Sequence, residues 1–276
     1  MRSVYACLLA LLVLAVIIGG CLEEEDHATE YQEEMNFILH RSITLINDEL
    51  TGISQVTDEN AMVLSILGLD NTDALDSLKQ SLQKYPYARS SLVIDADGVV
   101  IAAVPEKYTD TVGLDLSYQP AVERANTEQQ QIVSDVFWLV EGFYGISQSS
   151  PIFSRDGQYL GYTDITYQPE VMIEQVITPL FANTPYDVWV VETNGRVIYD
   201  TTPEEIGRNL FSDPVYQLPG LQEVFFHIVS ETSGKTEYTF WDRNWQHLET
   251  KTAVWGTAGV YGAEWRIVIT RVIRRK

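Results

Sequence analysis

Residues 132–166 read IVSDVFWLVEGFYGISQSSPIFSRDGQYLGYTDIT, and this stretch decides the fold. Runs rich in Val, Ile, Tyr and Phe are separated by Glu141-Gly142 and by Asp156-Gly157. An acid followed by glycine between such runs is typical of hairpin turns, because glycine accepts the positive φ that a tight turn requires. The stretch therefore predicts three consecutive antiparallel strands in a twisted meander.

The strands of this meander carry more polar and aromatic residues than a plain core sheet would. They include Asp135, Trp138, Tyr144, Ser147, Gln148, Ser149 and Asp164. A surface that combines flat apolar side chains with a few polar groups is typical of a small-molecule pocket. We therefore expect the ligand-binding face of the protein within this stretch.

The chain also contains an internal repeat. Residues 92–104, LVIDADGVVIAAV, and residues 189–201, WVVETNGRVIYDT, both predict a hairpin with a turn at their central glycine. These glycines, Gly98 and Gly195, are 97 positions apart, and each hairpin leads into a glycine-centred segment, VGLDL and then IGRNL. A repeat unit of this length predicts two similar domains in tandem rather than a solenoid.

Helical periodicity precedes the first hairpin. Positions at steps of three and four along residues 31–53 predict one face of a long helix that lies along both modules. That face comprises Tyr31, Met35, Leu39, Ser42, Ile46, Glu49 and Ile53, widened by Ile38, Leu45 and Leu50. Residues 60–69 extend or follow this helix, and Asn71 or Thr72 can cap another short helix.

These patterns predict an α+β fold. A helical region is expected over residues 31–85, a first module over 86–175 and a second module over 176–276. Each module is expected to be one antiparallel sheet with flanking helices, because each follows the order hairpin, helix and strands. The second module also holds four tryptophans that we interpret as packing residues. They are Trp241, Trp245, Trp255 and Trp265.

The start of the chain predicts a lipoprotein signal peptide over residues 1–20 and an acidic tether over 21–30. The apolar run of residues 6–18 is short for a membrane span, and small residues before Cys21 suit cleavage and acylation. An uncleaved anchor helix is the alternative. Either way, the rest of the chain is expected outside the cytoplasm. With Cys7 in the signal and Cys21 lipidated, no disulfide is expected in the fold.

The composition argues against several classes of function. The formal net charge of −21 disfavours nucleic acid as a partner, because phosphate binding needs clustered Lys and Arg. The four histidines lack metal-ligand spacing, and the sequence contains no GxSxG or phosphate-binding glycine motif. Acid pairs are abundant, so residue counting leaves a glycosidase open. Because no motif places a nucleophile beside a base, we expect no catalysis, metal or cofactor.

Several segments together carry a family resemblance. The hairpin LVIDADGVVIAA, the segment GLDLSYQP, the meander ending in GYTDI and the later IGRNLFSDP resemble the double Cache domain. That domain is the extracellular ligand-binding unit of many prokaryotic chemoreceptors and sensor kinases, and the resemblance covers most of residues 31–272. It implies a long N-terminal helix followed by a membrane-distal and a membrane-proximal PAS-like module. It also implies a ligand in the distal module, the first one here.

The sequence departs from the amino-acid receptors of that family. In those receptors an Arg stands shortly before a Trp-Tyr pair, and an Asp lies on the last strand of the module. Trp138 and Asp164 match this pattern, but Val136 stands in place of the Arg and Leu139 in place of the Tyr. The group that would clamp a ligand carboxylate is therefore missing. An α-amino acid is not the expected ligand.

Asp164 is the strongest candidate for a ligand contact, because a carboxylate on an inner strand is costly unless it meets a cation or several donors. Neighbouring backbone N–H groups are the alternative partners. Trp138 and Tyr144 offer flat walls for stacking or cation–π contacts, with core packing as the alternative. The remaining candidates are Asp135 and Ser147 for a polar lining, which an exposed strand face would also explain, and Tyr118 as a cover over the pocket.

The charges within residues 132–166 bear on the ligand. Four acids, Glu141 and Asp164 among them, stand against one base, Arg155. A cationic or neutral ligand is therefore favoured. An anionic ligand would need Arg or Lys side chains that this stretch does not contain, although Arg124 or Lys107 could reach in from outside it.

These expectations combine into one functional hypothesis. The protein is expected to be a lipid-anchored extracytoplasmic sensor that binds a small metabolite in its first module. Because no second apolar segment occurs in the sequence, it is expected to present that ligand to a separate membrane receptor or transporter. The alternative is a structural or adhesive envelope protein that retains the fold without a ligand.

The lipid anchor is testable through its cysteine. Cys21→Ser is expected to abolish lipidation, because only the thiol can take the lipid, and the variant should be uncleaved or released from membranes. Metabolic labelling with a clickable fatty acid and detergent partitioning measure both effects. If the variant partitions like the parent protein, residues 6–18 are a retained helix.

Overall fold

The computed structural model describes the backbone of residues 2–275 and the side chains of residues 30–273. The chain begins with one long helix, α1 (Arg2–Leu67), and two antiparallel sheets follow it. The side chains of the expected signal peptide and of residues 21–29, with the thiol of Cys21, lie outside the described residues. Among residues 30–273, no helical segment has the length and apolar character needed to span a membrane.

The first sheet has six antiparallel strands in the order β2-β1-β6-β5-β3, with β4 paired to β5. Its elements are α2 (Thr72–Leu82), β1 (Ala88–Asp95), β2 (Val100–Val104), a 3₁₀ turn (Glu106–Thr111), α3 (Pro120–Glu128), β3 (Ile132–Val133), β4 (Phe137–Trp138), β5 (Tyr144–Phe153) and β6 (Tyr159–Tyr167). The cap expected before α2 is Asn71, whose side chain accepts the N–H groups of Asp73 and Ala74.

The second sheet has five antiparallel strands in the order β8-β7-β11-β10-β9. Its elements are α4 (Pro169–Phe181), β7 (Asp187–Glu192), β8 (Val197–Asp200), 3₁₀ turns (Pro203–Glu205 and Pro214–Tyr216), α5 (Leu221–Ser230), β9 (Ser233–Trp241), β10 (Leu248–Ala258) and β11 (Trp265–Arg275). The expected α+β fold, a long helix followed by two antiparallel sheets, is confirmed. The module boundary expected at residues 175/176 falls within α4 and stays a prediction.

The internal repeat extends to individual backbone hydrogen bonds. The turn glycines Gly98 and Gly195 have φ values of 88° and 87°. The segment after the first hairpin returns to it through Leu116 N–H, which donates to the Gly98 carbonyl at 2.9 Å. In the second module Leu210 N–H donates to the Gly195 carbonyl at the same distance of 2.9 Å. The two modules are therefore built on the same hairpin and return segment.

The predicted meander is confirmed in β5 and β6 and wrong in its first strand. In place of one strand from residue 132, two strands of two residues each, β3 and β4, pair with β5. Asp135 lies between them and is exposed, so it is not a strand residue as predicted. An apolar run favours a continuous strand, but it does not determine which groups the backbone N–H and C=O groups bind.

The strand is interrupted because groups between β3 and β4 take other partners. The hydroxyl of Ser134 accepts the Ser147 N–H at 3.0 Å, in place of a backbone carbonyl. The Val136 N–H donates to Glu192 Oε1 at 2.7 Å, and Glu192 ends β7 of the second module. The Ser134 hydroxyl and the Glu192 carboxylate thus take the places of two backbone carbonyls in the sheet. The bond to Glu192 also ties this segment to the second module.

One face of α1 is buried against both sheets. Its buried apolar residues are Met35, Ile38, Leu39, Ile46, Leu50, Ile53 and Val56. They belong to one hydrophobic cluster that also holds Ile146 and Ile165 of the first sheet and Ile267 and Ile269 of the second. The expected helix along both modules is confirmed, and it joins the two sheets into a shared core.

Gln148 is a polar group at the centre of this core. Its side chain is 0% exposed, and Nε2 donates to the Leu50 carbonyl at 2.6 Å and to Ser54 Oγ at 2.5 Å on α1. Its Oε1 accepts from the Tyr167 hydroxyl on β6 at 2.9 Å. Sliding the helix along the sheet would leave these buried groups unpaired, which is costly. Gln148 therefore fixes the position of α1 on the first sheet.

Gln148→Ala is expected to lower the free energy of unfolding by roughly 2 to 4 kcal/mol, because it removes three buried hydrogen bonds and leaves a cavity. Urea unfolding followed by circular dichroism measures this change. The control is Gln55→Ala, which removes an exposed amide from the same helix and should stay within about 0.5 kcal/mol of the parent. Equal unfolding midpoints for the two variants would show that Gln148 does not hold the helix.

Candidate functional site

A narrow cavity lies between the first sheet and the start of α3, with an empty volume of about 280 Å³. Its apolar walls include Leu92, Ile94, Leu116, Val122, Phe137, Leu139, Val140 and Tyr162. Its polar lining consists of Gln119, Glu141, Ser147, Asp164 and Thr166. As it stands, the cavity is closed enough to hold little more than a water molecule.

Asp164 supplies one carboxylate to this cavity. It lies in the middle of β6, and its side chain is 2% exposed. Oδ1 accepts the Leu92 N–H from β1 at 2.8 Å, and Oδ2 accepts the Ser147 hydroxyl from β5 at 2.7 Å. Groups on both neighbouring strands therefore bind the carboxylate. A backbone N–H group, the alternative partner expected from the sequence, accounts for one of its two oxygens.

Glu141 supplies a second carboxylate. It belongs to the turn between β4 and β5, and Oε1 accepts hydrogen bonds from the hydroxyls of Ser90 and of Thr166, the latter at 3.3 Å. Its other oxygen, Oε2, is buried and has no hydrogen-bond partner among the described residues. A buried carboxylate oxygen without a donor is costly, so this oxygen is the group in the cavity that most lacks a partner.

The two carboxylates affect each other. Burial, and after it the negative charge of Glu141, raise the pKa of Asp164 to about 7 in spite of hydrogen bonds from Leu92 and Ser147 that lower it. The ionised form of Asp164 is therefore disfavoured until a positive charge approaches. A cation beside the two carboxylates would therefore lower the pKa of Asp164.

The structure brings together only two of the six candidate ligand contacts. Asp164 and Ser147 line the cavity, whereas Asp135, Tyr118, Trp138 and Tyr144 do not. Tyr118 is 75% exposed and stands just before α3, so it does not cover the cavity. Lys107 and Arg124, the two basic residues that could have served an anionic ligand, are not among the lining residues either.

Trp138 and Tyr144 form a separate aromatic pair. They face each other across β4 and β5 with ring centroids 5.0 Å apart, and Trp138 is 57% exposed. The Arg196 guanidinium of the second module lies 4.6 Å from the centre of the Tyr144 ring. Tyr144 and Ser147 are three residues apart on one strand, and alternate residues point to opposite faces. The two rings offered from the sequence as walls for a ligand therefore lie apart from the cavity of Asp164 in this structure.

Sequence reasoning missed Glu141 as a site residue. Glutamate followed by glycine predicts a turn, and acids in turns are usually solvated, so the local sequence gives Glu141 no role beyond its charge. Its inward direction depends on Ser90 and Thr166, which lie on other strands. One local feature hints at a second acceptor near Asp164. The Thr166 hydroxyl lies two residues later on the same face of β6 and can donate a hydrogen bond there.

Comparison with known proteins finds similarity to sensor domains. Residues 48–169 match a family profile described as the HK/GC/Chemotaxis protein-like sensor domain. Among solved structures, an extracellular ligand-binding receptor from Desulfohalobium retbaense is 25% identical, with a TM-score of 0.73 over 86% of this chain. The match covers 40% of that receptor's chain. The chain matches none of the curated proteins in sequence.

Two chemoreceptor domains share the fold over nearly their whole length. The ligand-binding domain of the Pseudomonas aeruginosa amino acid chemoreceptor PctC, in complex with GABA, is 16% identical, with a TM-score of 0.63 over 88% of this chain and 99% of that chain. The Campylobacter jejuni chemoreceptor Tlp3 domain with L-norvaline is 14% identical, with a TM-score of 0.62 over 89% and 91%. The chain is thus similar to extracellular ligand-binding sensor domains.

The electrostatics of the cavity can be measured directly. In a ¹³C-carboxyl NMR titration, Asp164 is expected to titrate near pH 7, above its ordinary value of 3.8. Ser147→Ala should raise this pKa further, because it removes a donor to the charged form. The matched control is Asp115, whose exposed carboxylate accepts from Ser117, which holds its pKa below 3.8. A midpoint near 4 for Asp164 would contradict the assigned burial.

Proposed function

We propose that the protein is an extracytoplasmic sensor whose first module binds a small organic cation, an amine, between Asp164 and Glu141. One observation carries this proposal. Two carboxylates face the same apolar cavity, one of them with a buried unpartnered oxygen, and no basic residue is among those that line it. The cavity therefore supplies negative charge without a protein cation to balance it.

An ammonium group fits this arrangement. It carries three N–H donors, enough to serve both the Oε2 atom of Glu141 and the carboxylate of Asp164. Its charge also offsets the desolvation that raises the pKa of Asp164. The apolar walls suit a short hydrocarbon body attached to that group.

The two chemoreceptors compared above were solved with ligands that carry both an amino and a carboxylate group, GABA and L-norvaline. The present cavity has counter-charges for the amino group only. A carboxylate would be desolvated beside two acids without an Arg or Lys partner, which is costly. An amine without a carboxylate is therefore the favoured ligand class.

Binding requires the cavity to widen, because it is nearly closed around its carboxylates. Two of its walls come from short segments rather than from long strands. Gln119 and Val122 belong to the N-terminal cap and first turn of α3, and Leu139 to Glu141 form the turn between β4 and β5. Local movement of these segments admits a ligand without disturbing the pairing of β1, β5 and β6.

The position of the protein in the cell rests on the sequence. Cys21 is proposed to carry a lipid that attaches the mature chain to the membrane, and a separate membrane receptor or transporter is proposed to bind the ligand-loaded form. The alternative is an envelope protein that keeps the fold without a ligand. A thermal-shift screen of amines, neutral isosteres and carboxylates separates the two, because only a ligand raises the melting temperature with concentration.

Asp164→Asn is expected to weaken amine binding by roughly 1 to 3 kcal/mol, the range for a charge-assisted hydrogen bond. The asparagine can still accept from Leu92 and donate to Ser147 Oγ, so the melting temperature of the free protein should stay nearly unchanged. Glu141→Gln is expected to act likewise. Isothermal titration calorimetry with the best amine of the screen measures both, with Asp156→Asn in the exposed β5–β6 turn as the matched control.

Amine affinity should also fall as the pH drops below about 7, by up to about tenfold per pH unit, because Asp164 becomes protonated. If Asp164→Asn unfolds the free protein and leaves residual binding unaffected, Asp164 is structural and this site assignment fails. If carboxylates stabilise the protein and amines do not, the proposed ligand class fails.

A further inference from the structure

The second module contains a cavity that the proposed function does not use. It is lined by residues of β7 to β11 and encloses about 420 Å³ of space between atoms, counted out into open solvent. As it stands it holds little more than a water molecule, so a ligand requires it to widen, as in the first cavity. Its aromatic walls are Trp189, Tyr216, Phe225, Tyr238 and Phe240. Its polar lining consists of Asp187, Asp200, Thr201, Thr202, Glu205, Lys251 and Thr270. The four tryptophans interpreted from the sequence as packing residues are not among those that line it.

Two hydroxyls in this cavity lack partners. Thr270 is 0% exposed, and its Oγ1 has no hydrogen-bond partner among the described residues. Oγ1 of Thr201, which follows β8, is also buried and without a hydrogen-bond partner among the described residues. Buried hydroxyls are normally hydrogen-bonded, and a core position of this size could hold Val instead of Thr without that cost. The two unpartnered hydroxyls therefore favour a polar ligand in this cavity.

The lining is also short of positive charge. Asp187, Asp200 and Glu205 face one lysine, Lys251, whose Nζ stands 4.0 Å from Asp187 Oδ2. Asp187 is paired as well with Arg243, outside the cavity. Burial, together with the proximity of other acids, raises the pKa values of Asp200 and Glu205. A second cation would favour their ionised forms.

Each of these acids already makes one hydrogen bond within the fold. Asp200 Oδ1 accepts the Thr202 N–H at 2.6 Å, and Glu205 Oε2 accepts the Tyr216 hydroxyl at 2.9 Å. Both side chains are therefore held in place before a ligand arrives, while their remaining lone pairs are available to it. Pre-positioned acceptors lower the cost of ordering on binding.

The internal repeat gives an independent argument. The two cavities occupy corresponding places, since Leu92 and Leu116 of the first match Trp189 and Leu210 of the second. The pair Ser90 and Thr166, which holds Glu141 in the first cavity, corresponds in the sheet register to Asp187 and Thr270. The second module has thus kept the cavity while its polar residues have changed.

We propose that this cavity is a second ligand site, which binds a small hydroxyl-bearing organic cation independently of the first module. The ammonium group lies against Asp200 and Glu205 and the aromatic walls, and the ligand hydroxyl bonds to Thr201 and Thr270. A metal ion is disfavoured, because no group of three or more His, Cys, Asp or Glu side chains in the described part of the chain is placed to hold one.

The test uses the mature chain with Asp164→Asn and Glu141→Gln, which disable the first cavity. The probes are ethanolammonium, its neutral isostere ethylene glycol and the anion glycolate, titrated by calorimetry. Ethanolammonium is expected to bind at one site per chain, and the other two probes are not. Adding Thr270→Val should weaken binding about 3- to 10-fold, the effect of one hydrogen bond, and adding Asp200→Asn about 10- to 100-fold.

Thr252→Val is the control, because Thr252 follows Lys251 on β10 and points to the other face of the sheet. It should leave the affinity unchanged. Thr270→Val removes an unpartnered hydroxyl and is not expected to unfold the protein, so it remains informative if Asp200→Asn does not fold. Equal affinity in the presence and absence of Thr270→Val would overturn the proposed contact.

The proposals for the two cavities can be refuted separately. If the chain with Asp164→Asn and Glu141→Gln shows no heat with ethanolammonium while the parent chain binds it, the second site is wrong and the first stands. If that chain binds as tightly as the parent, with the same stoichiometry of one, the first site is wrong and the second stands. Binding of glycolate in place of ethanolammonium would overturn the proposed ligand charge.

Discussion

The structure depends on the burial of one face of α1 against both sheets. Neither sheet could bury its inner face alone, because the cluster that holds Ile146 and Ile267 is completed by residues of the helix such as Ile46 and Ile53. Apolar burial has no direction and would allow the helix to slide. The three hydrogen bonds of Gln148 add the missing specificity, because they are satisfied in one position of the helix only.

In contrast to this core, the first cavity holds two carboxylates whose burial is electrostatically unfavourable. Glu141 and Asp164 lie among apolar side chains, and the hydrogen bonds that they accept do not restore an ordinary pKa to Asp164. The free energy lost in the ligand-free fold is available to a ligand that brings the missing charge, so selectivity follows from what the cavity lacks. The same reasoning explains why two acids can be retained where an apolar pair would pack better.

The sequence predicted the elements better than the site. Glycine turns such as Gly98 and Gly195 are local, because positive φ is a property of one residue, and their spacing reveals the repeat from the sequence alone. The break after β3 was not predictable, because it depends on Glu192, which is distant in sequence. Asp164 was identified from its polarity within an apolar strand. Its partner Glu141 was missed, because a turn acid gives no local sign that it points inward.

The interruption of the strand between β3 and β4 has a mechanical consequence. On one side of it the Val133 N–H donates to the Tyr261 carbonyl at 2.9 Å, and on the other the Val136 N–H donates to Glu192, so both ends are fastened to the second module. Three residues later the chain reaches Leu139, in the wall of the first cavity. A displacement of the second module would therefore act directly on the chain five residues before Glu141.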